Sequence, residues 1–142
     1  MRVVAAAQKE LGVKEGVVPN TGKRVSEYLR YTGINSPDKW CAAWVSFVFG
    51  QAGFSVPITA WSPALFPASR QVKKAAPGIV LGIYFTSLKR IAHCGIVYGV
   101  KNDWVFSIEG NTNVSGSREG DGVYRRTRHI RSIHRFADWC KK

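Results

Sequence analysis

The stretch Asp38-Lys39-Trp40-Cys41-Ala42-Ala43-Trp44-Val45-Ser46-Phe47-Val48-Phe49-Gly50 decides how the rest of the chain is read. It sets a cysteine at the head of an almost wholly apolar run, with small residues beside it and Gly50 and Gly53 to close it. A run of this kind predicts a short helix that is apolar on every side, and such a helix belongs inside a domain. With Cys41 in the first turn, unpaired backbone N–H groups and the positive end of the helix dipole would face the sulfur and favour thiolate over thiol. Just upstream, Ser36-Pro37 offers a cap and a first-turn proline where this helix is expected to begin.

Working outward on the N-terminal side, Arg2 to Leu11 predicts a helix stopped by Gly12. Val13 to Gly22 reads as a loop, and Lys23 to Tyr31 as a second helix with Val25, Tyr28 and Leu29 on one face. On the other side, Ser62-Pro63 could open one more short helix ending near Lys74, before Ala76-Pro77-Gly78 breaks the chain. The pattern then changes to strands over Ile79 to Phe85, Ala92 to Val100, Asp103 to Glu109, Val123 to Arg128 and Ile130 to Phe136. Lys101-Asn102, Gly110-Asn111 and Gly120-Asp121-Gly122 stand in the turns. Helices first and strands afterwards predict an α+β fold whose N-terminal helices pack on a C-terminal antiparallel sheet of about five or six strands.

Composition bounds the possibilities. The 142 residues suit a single domain spanning 1–142, and 45% hydrophobic content with five tryptophans excludes a disordered chain. Three cysteines without C-x-x-C spacing argue against a disulfide framework and a zinc site, and point to a reducing compartment. The apolar run at the N-terminus stops too early for a signal-peptide core, and no segment approaches a membrane span, so synthesis in the cytoplasm is expected. A formal charge of +12 implies an anionic partner, and the basic stretch Arg125 to Arg131 is the natural place for it to act.

The remaining question is what could accompany Cys41. Period-two alternation through Ala92 to Gly99 puts His93, Gly95, Val97 and Gly99 on one face. The two glycines would let the Cys41 helix come close, and His93 could exchange a proton with the thiol. Glu109 ends the strand Trp104 to Glu109, on the same face as Ser107 and Val105. If the two strands form a hairpin, Glu109 falls beside His93 and can orient it. Asn111 could orient the histidine or donate to a reacting carbonyl. Cys94 is expected to point away from His93 into the core, and His129 and His134, among Arg126, Arg128, Arg131 and Arg135, to lie on a solvated basic face. Because Trp104, Phe106 and Ile108 are greasier than the Glu109 face, the sheet must bury part of both faces.

The ordered set Trp40-Cys41-Ala42-Ala43-Trp44-Val45, Ala76-Pro77-Gly78-Ile79-Val80, His93-Cys94-Gly95-Ile96-Val97 and Ile108-Glu109-Gly110-Asn111 resembles the CHAP domains. These are the cysteine, histidine-dependent amidohydrolases/peptidases of phage endolysins and bacterial autolysins, which share a papain-like fold with the NlpC/P60 peptidases. The resemblance implies a peptidoglycan hydrolase, with Cys41 as nucleophile, His93 as general base and acid, Glu109 as orienting carboxylate and Asn111 as accessory polar residue. It implies attack on an amide and a thioester intermediate, in an N-acetylmuramoyl-L-alanine amidase or an endopeptidase working after release or delivery to the wall. Trp40 stands where some relatives carry a glutamine, which leaves the second oxyanion donor open. The usual aspartate after Pro77-Gly78 is Ile79, and the usual glycine before His93 is Ala92. No metal and no cofactor are expected, since Asp38 is nearly all that the region offers of the calcium loop found in some relatives. The expected partners are peptidoglycan and an anionic envelope surface, with no specific nucleic acid, and the chain is expected to be a monomer. A second reading is a basic module that binds wall polymer or nucleic acid, with the thiol site degenerate.

Overall fold

A computed structural model describes residues 1–112 and 120–141. Among these, three α-helices precede six strands: α1 (Arg2–Gln8), α2 (Lys23–Tyr31) and α3 (Cys41–Gln51), then β1 (Gln71–Val72), β2 (Val80–Phe85), β3 (Arg90–Lys101), β4 (Trp104–Thr112), β5 (Gly122–His129) and β6 (Arg135–Ala137). The strands form one sheet in the order β1-β6-β2-β3-β4-β5, with every neighbouring pair antiparallel. The fold is therefore α+β, as the helix-then-strand pattern predicts.

Residues Cys41 to Phe49 of α3 are all buried, which is what a helix without a polar stripe requires. The helix lies between α1 and α2 on one side and the β3–β4 pair on the other. Tyr28 stacks on Trp40 and meets Phe47 edge to face. Sheet residues Val80, Cys94, Ile96 and Ile108 complete this core. A second, smaller core of Ile79, Leu81, Val97, Val105 and Phe136 covers part of the opposite face, so the sheet does bury side chains on both sides. A half-buried ion pair ties α2 to the turn after α1: the Arg24 guanidinium donates to both oxygens of Glu10 at 2.7 and 2.9 Å, and the Tyr28 hydroxyl donates to the same carboxylate at 2.6 Å.

The close approach of α3 to the sheet depends on Gly110. A Cβ built there would lie 2.7 Å from Trp44 Cγ and 2.9 Å from a ring carbon of Trp40, both fully buried. Gly110→Ala is expected to lower stability by about 2–3 kcal/mol, since neither indole has room to retreat. Chemical denaturation checks this, and a midpoint equal to that of wild type would refute the packing account.

Four local expectations need correction. First, α3 begins at Cys41 and not at Ser36-Pro37. The Asp38 side chain accepts from its neighbour Lys39 N–H, and the Trp40 indole N–H donates to Glu15 Oε2 at 2.9 Å, which fixes Trp40 as the last non-helical residue. Second, the segment after Ser62-Pro63 forms two 3-10 turns, Ser62–Leu65 and Ala68–Arg70, followed by β1. Pro67 interrupts it by lacking an N–H and forcing Phe66 out of helical geometry. Third, Ile130 to Phe136 is a 3-10 turn, Ile130–Ser132, and then β6. His129 Nδ1 caps that turn by accepting from Arg131 N–H at 3.1 Å. Fourth, Gly110-Asn111 is no turn: β4 runs to Thr112, with its register on β5 shifting between Glu109 and Thr112 and Asn111 at φ +55°.

Candidate functional site

Cys41 is the first residue of α3, and no side chain caps the helix at Trp40. The first intrahelical bond is made by Trp44 N–H to Trp40 C=O, so the N–H groups of the opening turn are left at the sulfur's end of the helix. The sulfur is 3.3 Å from Ser62 Oγ. A hydrogen bond from the Cys94 thiol, a contribution from His93 and one from Ser62 hold the Cys41 thiol well below its ordinary range, against the opposing effect of burial.

Behind Cys41 stands a charge stack. His93, 1% exposed, shares a hydrogen bond of 2.7 Å between Nε2 and Glu109 Oε1. Glu109 is fully buried and accepts three more: from Ser107 Oγ at 2.6 Å, Arg128 Nε at 2.7 Å and Arg128 Nη2 at 2.6 Å. Burial alone would push the Glu109 carboxyl up, but Arg128 and His93 outweigh it and hold the group far below the usual carboxylate range. Burial likewise works to lower the His93 pKa, yet Cys41 and Glu109 raise it to about 9. His93 Nδ1 is buried without a hydrogen-bond partner, and it is the ring atom left over once Glu109 holds Nε2. Cys41 and His93 are close enough for each to shift the other, and the directions favour a thiolate beside an imidazolium near neutral pH.

Glycine serves this stack differently from the expectation. Gly95 makes room for Glu109 and not for α3, because a Cβ at Gly95 would collide with the Glu109 stem. The helix lies on the other face, against Cys94, Ile96 and Ile108. Cys94 does point into that core, where it shares the Ser62 hydroxyl with Cys41: Ser62 Oγ is 3.9 Å from Cys94 Sγ and 3.3 Å from Cys41 Sγ. Burial and the neighbouring Cys41 push the Cys94 thiol well above its ordinary range.

The cleft at Cys41 has a volume of about 480 Å³ and is walled by Asp38, Ile58, Trp61, Ser62, Arg90 and Ala92, among others. Trp61 and Ile58 are more than half exposed there, giving the cleft at Cys41 an apolar rim. One polar staple fixes this wall to the helix: Ser46 Oγ, on α3, donates to Thr59 C=O at 2.9 Å and accepts from Thr59 N–H at 3.0 Å. Thr59 Oγ1 in turn accepts from Trp61 N–H at 3.1 Å.

No family model and no curated protein matches the chain. The site must therefore be read from its own geometry. The structure bonds His93 to Glu109 and sets the Cys41 sulfur beside Ser62. Asn111 is buried nearby, but its Oδ1 has no hydrogen-bond partner and it makes no bond to the His93 ring. Trp40 turns its N–H toward Glu15, away from any role as a donor to a reacting carbonyl. Arg128 corrects the reading of the basic stretch: its side chain is 12% exposed and folded onto Glu109 instead of lying in solvent. Ser62, Ser107 and Arg128 were missed from the sequence. Alternation could have found Ser107, two residues from Glu109 on the same face, but not Arg128, because the register sets Tyr124 opposite Glu109 and Arg128 opposite Val105. Among the described residues no three His, Cys, Asp or Glu side chains converge as a metal site, and no helix is long and apolar enough to cross a membrane.

Proposed function

We propose that the protein is a thiol amidohydrolase of papain-like fold that cleaves an amide bond in peptidoglycan. The observation that carries this reading is His93, buried and bonded through Nε2 to the buried Glu109 carboxylate, with its Nδ1 left without a partner. In this reading the Cys41 thiolate attacks the amide carbonyl, and the backbone N–H of Cys41 donates to the oxyanion. His93 then gives its proton to the leaving amine, and the thioester falls to a water from which His93 takes the proton back. Glu109 keeps the ring oriented and its charge balanced throughout. Wall polymer as substrate is supported by the resemblance of the ordered motifs to the CHAP domains and by the +12 charge, which would concentrate the protein on an anionic envelope.

The test is incubation with purified sacculi, followed by mass spectrometry of the released material. New amine termini and soluble muropeptides are expected, and their masses distinguish amidase from endopeptidase cleavage. Rates should fall on the acid side as the Cys41 thiolate is protonated, and on the alkaline side with a midpoint near the His93 value of about 9, where the leaving amine loses its proton donor. Salt-sensitive binding without any bond cleavage would replace the enzyme reading with that of a basic binding module.

A further inference from the structure

We infer that Ser62 is a catalytic hydrogen-bond donor of this site, holding negative charge first on the Cys41 sulfur and then on the carbonyl oxygen of the substrate. The inference rests on the thiol-hydrolase reading and fills the second donor position that Trp40 leaves vacant. Ser62 Oγ lies 3.3 Å from Cys41 Sγ and 3.9 Å from Cys94 Sγ, so one hydroxyl proton faces two sulfurs. A thiolate can only accept a hydrogen bond, whereas a thiol can donate one. The shorter contact and the ionised partner both direct the Ser62 proton to Cys41. Ser62 Oγ can also donate to Cys94 Sγ, but that contact is the longer one, and a Cys94 thiol kept protonated by burial is a weaker acceptor than a thiolate.

Position and rigidity agree with this role. Ser62 is 4% exposed, lines the cleft and opens the 3-10 turn Ser62–Leu65. The Ser46 staple to Thr59, and the bond from Trp61 N–H to Thr59, fix the backbone up to the residue before it. The Trp139 indole N–H fixes the far end of the turn by donating to Leu65 C=O at 2.9 Å. When the sulfur attacks, the S–C bond forms and the carbonyl π pair moves to oxygen, one bond further from the sulfur. The Ser62 hydroxyl can follow the charge by rotating about its C–O bond, with no proton transferred. Collapse re-forms the carbonyl, breaks the C–N bond and sends the amine away with the His93 proton.

Two measurements test this, one of them independent of substrate. Alkylation of Cys41 by iodoacetamide, mapped by peptide mass spectrometry across pH, reports thiolate formation. In Ser62→Ala the alkylation midpoint should rise by about one pH unit, slowing reaction on the acid limb about tenfold. On sacculi the same variant should lose roughly 10²-fold in kcat, with KM within about threefold of wild type. Ser62→Thr, which keeps the hydroxyl, should recover most of both. An unchanged alkylation profile and unchanged kcat in Ser62→Ala would overturn the inference while leaving the hydrolase reading intact. A shifted alkylation profile, in a protein whose wild type cleaves no wall amide, would keep the serine–thiolate contact and overturn the substrate.

Discussion

Cys41→Ala is expected to abolish wall hydrolysis, with a loss of about 10⁴-fold or more, because no other group in the site can form the covalent intermediate. Cys94 cannot substitute: it is fully buried and its thiol is held in the protonated form. The fold should survive, since Cys41 is only one small member of an extensive core and alanine is the better helix former. Near-ultraviolet circular dichroism and thermal melting check the fold, and amine release from sacculi checks activity. A folded Cys41→Ala protein that still cleaved at more than about a hundredth of the wild-type rate would rule out thiol catalysis.

The second large effect concerns stability as well as rate. Glu109→Gln keeps the shape of the side chain but removes the negative charge that serves both His93 and Arg128. Arg128 would then hold a guanidinium in a mostly buried place with no counter-charge, which costs about 3–5 kcal/mol for a pair of this kind. Chemical denaturation near neutral pH measures that loss. The pH dependence gives an independent signature. A carboxyl whose folded pKa is depressed stabilises the protein above its ordinary value of 4.5, and that stability is lost as pH falls below it. The Glu109→Gln protein should therefore lose less stability than wild type on acidification. Its alkaline activity limit should also move down from about 9, because one of the groups raising the His93 pKa is gone. Adding Arg128→Met should restore stability but not rate, since it removes the stranded charge without restoring the carboxylate. A single variant as stable as wild type would show that the stack contributes no net stability.

How much of this was legible in the sequence follows the range of the forces involved. Helix α2 was readable at Lys23 to Tyr31 because a local amphipathic period fixes it, and α3 because a run that is apolar on all sides has no alternative placement. The facing of Glu109 followed from period two. Contacts formed between distant segments were not readable. Ser62 reaches Cys41 across 21 positions through a loop whose course is set by Ser46 and Thr59, and nothing local marks it. Arg128 was hidden in a basic run, where composition suggests solvent and only the pairing of β5 with β4 puts it on a carboxylate. Gly95 was read as clearing space for the Cys41 helix, whereas the space is filled by Glu109, since a sequence does not say which side chain lies against a glycine.

Glu109 and its supporting arginine lie on the face of the sheet away from α3, whereas the cleft wall from Ile58 to Ser62 is carried by a loop stapled to that helix. The parts that tune the proton chemistry and the parts that meet the substrate thus occupy separate layers of the molecule. Rebuilding Ile58, Ala60 and Trp61 offers a way to retarget the protein to other amides, with the acid–base couple left as it stands.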